Sequence, residues 1–284
     1  MSEARGDGAA TKVWLNGSLV DEADAVVSVF DHGFTVGDGV FETLKTYAGR
    51  PFAVRRHLDR LTASASGMGL TGLPDAGVLR SALDDVVAAN GLGDAVLRIT
   101  VTSGPGPAGS ARPPGPPTVV VSSGPLSRWP PAVAVAVVPW PRNDRGALTG
   151  YKTTSYGENV VALARAAERG AGEALFANLA GDLCEGTGSN VVIAAGGRLV
   201  TPPLSSGCLA GVTRALVIEA CGVVEDDIPL TALARTHEAF LTSTTREVQP
   251  IRAVDGRPLP AAPGPLTAAA AAALSALIAD NPDP

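Results

Sequence analysis

Cysteine is scarce in this chain of 284 residues, which has only three, at positions 184, 208 and 221. Thiols so few and so scattered predict neither a disulfide framework nor a zinc site. Cys184 and Cys208 lie close to a glycine-rich motif that is described below. The sequence assigns no role to either of them.

The chain also lacks a basic excess and long apolar runs. Its net charge is −6, and a nucleic-acid partner is not expected because phosphate backbones attract basic faces. No stretch approaches the roughly 18 consecutive apolar residues that a membrane helix needs. Residues 1–12 are polar and lack the apolar centre of a signal peptide. We therefore expect a cytoplasmic protein with no membrane partner.

Lysine is rare relative to arginine, with Lys12, Lys45 and Lys152 against nineteen arginines. A lysine retained where arginine is otherwise used indicates a role that a guanidinium cannot perform. Formation of a Schiff base is the clearest such role, because an amine can lose its proton in a partly desolvated site and attack a carbonyl. Lys152 alone is equally compatible with a surface lysine.

A second motif follows Lys152 by 33 residues and contains Glu185. Residues 183–190 read LCEGTGSN, so one carboxylate lies in a turn of glycine, serine and threonine, directly before the apolar strand 191–193. Turns of this composition allow the backbone to approach a ligand closely. The pair of motifs predicts a binding site that combines an amine and a carboxylate.

A lysine, about thirty residues, EG-x-G-S-N and then TPPLSSGCLAGVTR together resemble the class IV aminotransferases, the fold-type-IV enzymes that use pyridoxal 5'-phosphate (PLP). The resemblance extends from about Val13 to Asp255. The family includes branched-chain and D-amino-acid aminotransferases, (R)-amine transaminases and 4-amino-4-deoxychorismate lyase. It implies a mixed α/β (α+β) fold, with a smaller N-terminal α/β sandwich and a larger C-terminal pseudo-barrel, and a homodimer.

The chain length permits two medium-sized domains, and turn signals suggest where they divide. A Pro- and Gly-containing stretch, 124–131, is the candidate linker between an N-terminal domain, 1–123, and a C-terminal PLP-binding domain, 132–284. Further expectations are a hairpin at Asn16-Gly17, a strand at 26–30, a helix at 74–90, strands at 95–102 and 118–122, and a helix at 158–169 whose apolar face includes Val160, Val161 and Leu163.

The resemblance also implies which residues bind the cofactor. Arg60 occupies the arginine of an H-x-x-R-L pattern, and a guanidinium fork binds phosphate oxygens well. The helix that begins near Val212 offers free N–H groups and the positive end of its dipole to an anion. Glu185 would face the pyridine nitrogen, and Tyr156 would approach the 3'-oxygen. The full implied set is Arg60, Lys152, Tyr156, Glu185, Val212, Thr213, Ser243 and Thr244, with Lys152 as the catalytic group.

Substrate residues are expected mainly on the strand that follows Val36. Phe41, Thr43 and Lys45 alternate onto one face of that strand, and in the family this strand forms a wall of the active site. Arg98 lies on another predicted strand. The substrate set is therefore Val36, Phe41, Thr43, Lys45 and Arg98, and no metal ligand is predicted.

The sequence departs from its relatives where they bind the substrate carboxylate. D-amino-acid enzymes carry an Arg-x-His pair after the strand that contains Arg98, and the corresponding positions here are Ala108 and Ser110. Arg98, Arg112 or Lys45 would then have to replace that pair. A loosened carboxylate site could also admit (R)-amines.

Three activities remain open at this point. The first is a transaminase that moves the amino group of D-amino acids to a 2-oxo acid such as 2-oxoglutarate or pyruvate. The second is 4-amino-4-deoxychorismate lyase, which makes 4-aminobenzoate and pyruvate and in which a threonine at the place of Thr43 assists proton transfer. The third is a branched-chain L-amino-acid aminotransferase. A binding or structural protein without turnover would be favoured if Lys152 or Glu185 lay remote from the cavity.

Overall fold

A computed structural model describes residues 11–112 and 114–284, which form two β-sheets and their associated helices. The polar residues 1–10, on which the expectation of no signal peptide largely rests, lie outside the described range. The first sheet contains β1 Lys12–Leu15, β2 Ser18–Asp21, β3 Gly39–Tyr47, β4 Arg50–Pro51, β5 Val96–Thr102 and β6 Thr118–Gly124. The second contains β7 Val133–Val137, β8 Glu173–Ala177, β9 Leu183–Gly186, β10 Asn190–Ala195, β11 Arg198–Thr201, β12 Val224–Glu225, β13 Ala239–Ser243, β14 Glu247–Val254 and β15 Arg257–Pro258. The helices are α1 His32–Thr35, α2 Val54–Gly67, α3 Ala76–Ala89, α4 Gly157–Glu168, α5 Val212–Cys221 and α6 Pro265–Asp280.

The first sheet is antiparallel, with strand order β2-β1-β6-β5-β3-β4. The predicted hairpin at its edge is confirmed, and its turn residues Asn16 and Gly17 both have positive φ, as a two-residue hairpin turn requires. The predicted helix at 74–90 is confirmed as α3. Leucines of α2 and α3, including Leu61 and Leu83, pack on β3 and β5 in one buried core.

The second sheet is mixed and curls into a half-barrel. Its strand order is β12-β11-β10-β13-β14-β7-β8-β9, with β15 on β14, and the pairs β14–β7, β7–β8 and β11–β12 are parallel. The edge strand β9 is joined to the interior strand β10 by a tight turn, in which the Gly186 N–H donates to the Ser189 carbonyl at 2.7 Å. This curl confirms the expected mixed α/β fold and brings the glycine-rich turn to the inner side of the sheet.

The two sheets meet along a short stretch of backbone that includes Lys152. The Phe41 N–H donates to the Lys152 carbonyl at 3.0 Å, and the Thr154 N–H donates to the Gly39 carbonyl at 2.8 Å. On its other side the Lys152 N–H donates to Ser64 Oγ of α2 at 3.1 Å. Residues 152–154 therefore extend the hydrogen bonding of β3, which holds the lysine at the junction of the two sheets.

The last strand of the first sheet ends at Gly124, and the second sheet begins at Val133. The stretch between them coincides with the candidate linker, and the division into two domains stays a prediction. No helix within the described ranges is long and apolar enough to cross a bilayer. The alanine-rich α6 packs instead, with Ala270 and Leu274 buried.

Two local expectations are wrong. Residues 26–30 form no strand, and Val29 and Phe30 are exposed, so a run of β-branched residues finds no neighbouring strand there. Helix α4 turns the opposite face to the core: Ala162 and Ala166 are fully buried against Phe176, whereas Val160, Val161 and Leu163 are exposed. Small alanines let the helix approach the sheet closely, and this close approach outweighs the burial of larger side chains.

Candidate active site

A cavity of about 600 Å³ lies at the junction of the two sheets, and Lys152 and Glu185 both line it. The amine and carboxylate motifs of the sequence, 33 residues apart, are thus brought into one site. The walls come from β3, β5 and α2 of the first half and from the turns and helix α5 of the second half. The sequence-predicted residues that line the cavity are Phe41, Thr43, Arg60, Arg98, Lys152, Tyr156, Glu185, Val212, Thr213, Ser243 and Thr244.

The Lys152 amine has no carboxylate partner at salt-bridge distance in the described part of the chain, and it lies 4.2 Å from the centre of the Phe41 ring. Burial, assisted by the positive charges of Arg60 and Arg98 and opposed by the carboxylates of Glu42 and Glu185, lowers the pKa of Lys152 to about 8. An amine in this state exchanges its proton near neutral pH. It is therefore suited both to attack a carbonyl and to carry a proton.

Glu185 projects from β9 into the same cavity, with its carboxylate held from two sides. Oε2 accepts from the Leu209 N–H at 2.9 Å, and Oε1 lies 3.3 Å from Arg142 Nε. Burial raises the pKa of Glu185, and Arg142 and the Leu209 N–H oppose that rise. A further cation or N–H donor in the cavity would stabilise the ionised form of this desolvated carboxylate.

Arg142 is a cavity residue that sequence reasoning did not identify. Its Nη1 donates to Glu158 at 2.6 Å and to Asn159 at 2.9 Å, and its guanidinium lies 4.0 Å from the centre of the Phe176 ring. The partners of Arg142 are 16 to 43 residues away along the chain, so local spacing carries no signal of them. The structure assigns it to holding Glu185.

Arg60 is fixed in the cavity wall by a buried carboxylate, Glu42, which is another residue that sequence reasoning missed. Arg60 Nε and Nη2 donate to the two oxygens of Glu42 at 2.7 Å each. The remaining Nη1 donates to the Ala210 carbonyl at 3.0 Å, directly before α5. This two-pronged ion pair fixes the plane and direction of the guanidinium.

His57 completes that buried group. Its Nδ1 lies 2.7 Å from Glu42 Oε2, and burial lowers the pKa of His57 although Glu42 opposes this. Burial alone would raise the pKa of Glu42, but the charge and hydrogen bonds of Arg60 dominate and lower it to about 2. A neutral imidazole therefore donates its Nδ1–H to an ionised carboxylate. The role of His57 is structural.

Glu42 did leave a signal in the sequence. In the alternating strand β3, Val40, Glu42 and Leu44 occupy the same face, and all three are fully buried. A charge on the core-facing side of a strand must be paired or it destabilises the fold. The alternation that predicted Phe41 and Thr43 on the cavity face thus also marked Glu42 as needing a buried cationic partner.

At one end of the cavity the exposed backbone and hydroxyl groups are donors. Helix α5 begins at Val212 with Gly211 as N-cap and no side-chain cap among the described residues, so its first N–H groups are available to a ligand, and Val212 and Thr213 line the cavity. A Cβ at Gly211 would overlap the Asn190 side chain. Thr242 Oγ1 is buried and has no hydrogen-bond partner among the described residues. With Arg60, these groups form an anion site of the kind that binds phosphate.

Two further residues of the expected cofactor set have defined contacts. Tyr156 precedes α4, its ring makes an edge contact with the Phe41 ring at 5.2 Å between centroids, and burial raises the pKa of Tyr156. A protonated phenol is therefore available as a donor. Ser243 Oγ accepts from the Arg246 N–H at 3.2 Å, which orders the turn that carries Thr244.

Lys45 and Val36 are expected substrate contacts that do not line the cavity. Lys45 Nζ is paired with Glu247 Oε1 at 2.5 Å in a smaller pocket behind the wall. Although Lys45 shares a strand face with Phe41, it lies beyond the cavity because β3 continues past it. Val36 is half exposed and ends the short helix α1.

Of the three cations considered for the substrate carboxylate, two have partners elsewhere. Arg112 makes a two-pronged ion pair with Asp38 at 2.8 Å for each bond, and Lys45 is paired as described above. Arg98 has no carboxylate partner in the described ranges, lines the cavity, and places its guanidinium 3.8 Å from the centre of the Phe41 ring. Arg98 is thus the cation left for an incoming carboxylate.

Comparisons with known proteins agree with this arrangement of groups. The family model Amino-transferase class IV matches residues 39–254. A Methanocaldococcus jannaschii protein provisionally named branched-chain-amino-acid aminotransferase is 37% identical over 264 residues, which is 87% of this chain and 88% of that protein. D-alanine aminotransferase of Bacillus licheniformis is 31% identical, covering 90% and 93% of the two chains. The crystal structure of the branched-chain aminotransferase of Thermoproteus uzoniensis with norvaline has a TM-score of 0.89 at 32% identity, over 95% of each chain.

Proposed function

Because this chain belongs to the class IV aminotransferases, enzymes that use PLP, we propose that it transfers the amino group of D-amino acids to a 2-oxo acid such as 2-oxoglutarate or pyruvate. One observation carries the chemistry: the cavity combines an amine of lowered pKa, Lys152, with a desolvated carboxylate, Glu185. A second observation, that Arg98 lines the cavity without a carboxylate partner among the described residues, supports a donor that bears a carboxylate.

The donor set in the cavity fits PLP. Arg60, the N–H groups of Val212 and Thr213, and the hydroxyl of Thr244 would hold the phosphate, and Thr242 offers a further unpartnered hydroxyl. Glu185 would accept the N–H of the pyridine ring, and Tyr156 would donate to its 3'-oxygen. Bound PLP supplies an electron sink for the cleavage of a C–H bond beside the amino group.

The residues of the chain supply binding and proton transfer. Arg98 binds the donor carboxylate and orients the α-carbon, because a guanidinium matches a carboxylate with two parallel bonds. Lys152, with its pKa lowered to about 8, would accept the α-proton at Nζ as a neutral amine and then, as an ammonium, donate it to the cofactor carbon C4'. Glu185, held by Arg142 and the Leu209 N–H, would accept a hydrogen bond from the pyridine N–H and so keep that nitrogen protonated.

The cavity walls support a small or acidic donor. Apart from Phe41, Tyr156 and a few aliphatic groups, the lining is rich in hydroxyls, which favour polar side chains over a branched aliphatic one. The stretch 37–42 resembles the D-amino-acid aminotransferases and the lyases more than the branched-chain enzymes, and D-alanine aminotransferases are among the relatives. The hydroxyl-bearing residues of the wall outside the turn assigned to the phosphate include Thr43, Thr149, Thr153, Thr154 and Ser155.

A branched-chain L-amino-acid aminotransferase is the second candidate. It is favoured by the names of the Methanocaldococcus protein and the Thermoproteus structure. The lyase alternative has one supporting feature, the Thr43 hydroxyl in the cavity wall.

We also propose that the enzyme is a homodimer, which would cover exposed apolar side chains such as Val29, Phe30 and Phe34. Light scattering on a size-exclusion column tests the dimer.

Absorption spectroscopy with D- and L-amino acid donors distinguishes the three activities. The PLP-loaded protein is mixed with D-alanine, D-glutamate or L-leucine, and its visible band is followed before and after a 2-oxo acid is added. Loss of the band with a D-amino acid and its return with the acceptor supports our proposal. The same cycle with L-leucine alone supports the second candidate. Release of pyruvate from aminodeoxychorismate, without either cycle, supports the lyase.

Replacement of Arg98 tests the carboxylate site. In Arg98→Ala we expect KM for a D-amino acid to rise by about 10- to 100-fold, since hydrogen bonds to charged groups contribute about 1.5–3 kcal/mol. The KM for a simple (R)-amine, which has no carboxylate, should change little. Arg112→Ala is the matched control because Arg112 is paired with Asp38 away from the cavity wall. An equal rise in KM for both substrates would exclude Arg98 from this role.

The pKa of Lys152 predicts how the cofactor-free protein responds to pH. The rate of PLP capture should rise with pH through about 8 and then level off, because only the neutral amine attacks an aldehyde and the pKa is lowered from 10.5 to about 8. Stopped-flow absorbance measures this rate, and a lysine model compound in the same buffers reports the titration of PLP itself. A rate that continues to rise to pH 10.5 would mean that the amine is unperturbed.

A further inference from the structure

The turn between β13 and β14 ends the cavity where the phosphate would lie, and its backbone is held in a sparsely populated conformation. The turn runs from Ser243 to Glu247, and Thr244 and Thr245 line the cavity. Glu247 has φ of +55°, in the left-handed region that residues other than glycine seldom adopt. Such a conformation persists only where surrounding contacts hold it.

Those contacts come first from strand β3. Glu247 Oε1 accepts from Lys45 Nζ at 2.5 Å and from the Tyr47 hydroxyl at 2.8 Å. Lys45 Nζ also lies 4.3 Å from the centre of the Tyr47 ring. The side chain of Lys45 is only 14% exposed, so this ion pair is partly desolvated. The Glu247 carboxylate thus connects the end of the turn to β3 of the first sheet, about 200 residues away in the chain.

The preceding residue, Arg246, is held from the second sheet. Its Nη2 lies 3.4 Å from Glu173 Oε2, and its guanidinium lies 3.7 Å from the centre of the Trp129 ring. Glu173 lies on β8 and is itself held by the turn after Glu185, since its carboxylate accepts from Ser189 Oγ at 3.0 Å and from the Thr187 N–H at 3.1 Å. The Arg246 backbone N–H in turn donates to Ser243.

Two consecutive residues of opposite charge therefore attach one turn to two different elements. We propose that Arg246 and Glu247 form a clamp that positions Thr244 and Thr245 for the cofactor phosphate, and that Lys45 and Tyr47 are positioning residues of this clamp. The proposal deepens the proposed function, since it rests on PLP binding in this cavity. It does not depend on which donor is used.

The clamp has a consequence that is specific to phosphate. A displaced turn weakens the binding of PLP, but it leaves the binding of pyridoxal, the same aldehyde without the phosphate, nearly unchanged. A general loss of fold weakens both. The ratio of the two dissociation constants therefore separates a positioning role from a structural one.

Titration of the cofactor-free protein with PLP and with pyridoxal, followed by visible absorbance, tests the clamp. In Glu247→Gln and in Lys45→Met we expect the PLP dissociation constant to rise about tenfold, equivalent to about 1.4 kcal/mol, with that of pyridoxal unchanged. Lys12→Met is the matched control, because Lys12 forms a surface ion pair with Asp21 at 2.7 Å far from the turn in the chain. It should change neither constant.

Glu247→Gly distinguishes the clamp from the backbone, because glycine adopts positive φ without strain. Weakened PLP binding in this variant supports the clamp, and wild-type binding overturns it. A raised KM for carboxylate donors in Lys45→Met, with PLP affinity unchanged, would also overturn it and return Lys45 to the substrate set. If wild-type protein itself failed to bind PLP, the proposed function would fail first.

Discussion

Lys152→Ala is expected to lower the rate of amino transfer by at least about 10³-fold, within the range of 10² to 10⁴ found for single acid–base groups and increased by the loss of its role as nucleophile. No other lysine lines the cavity, so within the described residues no second amine can replace it. Initial rates with saturating PLP, donor and acceptor measure the loss. Borohydride treatment should attach the mass of PLP to the peptide around position 152 in the wild type alone.

Lys152→Arg separates charge from proton exchange. It retains a cation next to the Phe41 ring, but a guanidinium keeps its proton at any working pH. We therefore expect Lys152→Arg to be as inactive as the alanine variant while its PLP phosphate site remains intact, as judged by competition with inorganic phosphate. Substantial turnover in either variant would remove Lys152 from the chemistry.

Glu42→Gln is expected to produce the largest loss of stability, about 3–5 kcal/mol, because one partner of a buried ion pair is removed and the other is left uncompensated. Glu42 is fully buried and accepts three bonds, from Arg60 and His57. Chemical denaturation measures the free energy of unfolding. Because Glu42 orients Arg60, the folded Glu42→Gln protein should also bind PLP more weakly than the wild type.

Glu219→Gln is the matched control for that change. Glu219 also makes a two-pronged pair with an arginine of α2, Arg56, at 2.8 Å for each bond, but its side chain is 55% exposed. An exposed pair of this kind contributes at most about 1 kcal/mol. Equal losses for the two variants would mean that the buried position of Glu42 does not matter.

The same carboxylate predicts how stability depends on acid. The pKa of Glu42 is lowered from 4.5 to about 2 in the folded chain, so its contribution, about 3 kcal/mol, is present above pH 4.5 and is lost as the pH falls towards 2. Wild-type protein should therefore lose stability over this window more steeply than Glu42→Gln. Parallel curves would contradict the low pKa.

Much of the site could be predicted from the sequence because its chemistry is carried by short motifs. The rarity of lysine makes Lys152 a candidate, the glycine-rich turn with Glu185 33 residues later supports it, and both residues line one cavity. The residues that position the site could not be predicted in the same way. Arg142, Glu173 and Glu247 act through partners that lie far along the chain, and no local spacing records a contact made by the curl of a sheet.

The choice among cations shows the same limit. The sequence offers Arg98, Arg112 and Lys45 as equal alternatives, and only the positions of Asp38 and Glu247 distinguish them. The reversed face of α4 has a related cause. Hydrophobic spacing ranks valine and leucine above alanine for burial, but close packing against a sheet favours the smaller side chain.

The backbone of Lys152 is hydrogen-bonded to β3 on one side and to Ser64 of α2 on the other, so the lysine has a fixed place only when both halves of the chain are assembled. Its lowered pKa depends on the same junction, because burial in the cavity between the two halves is the main cause, with Arg60 and Arg98 adding to it and Glu185 opposing it. The pKa of Lys152 therefore reports how closely the two halves of the chain are in contact. Any event that separates the halves, such as heat, denaturant or mutation at the junction, would therefore return the pKa of the amine towards that of a free lysine.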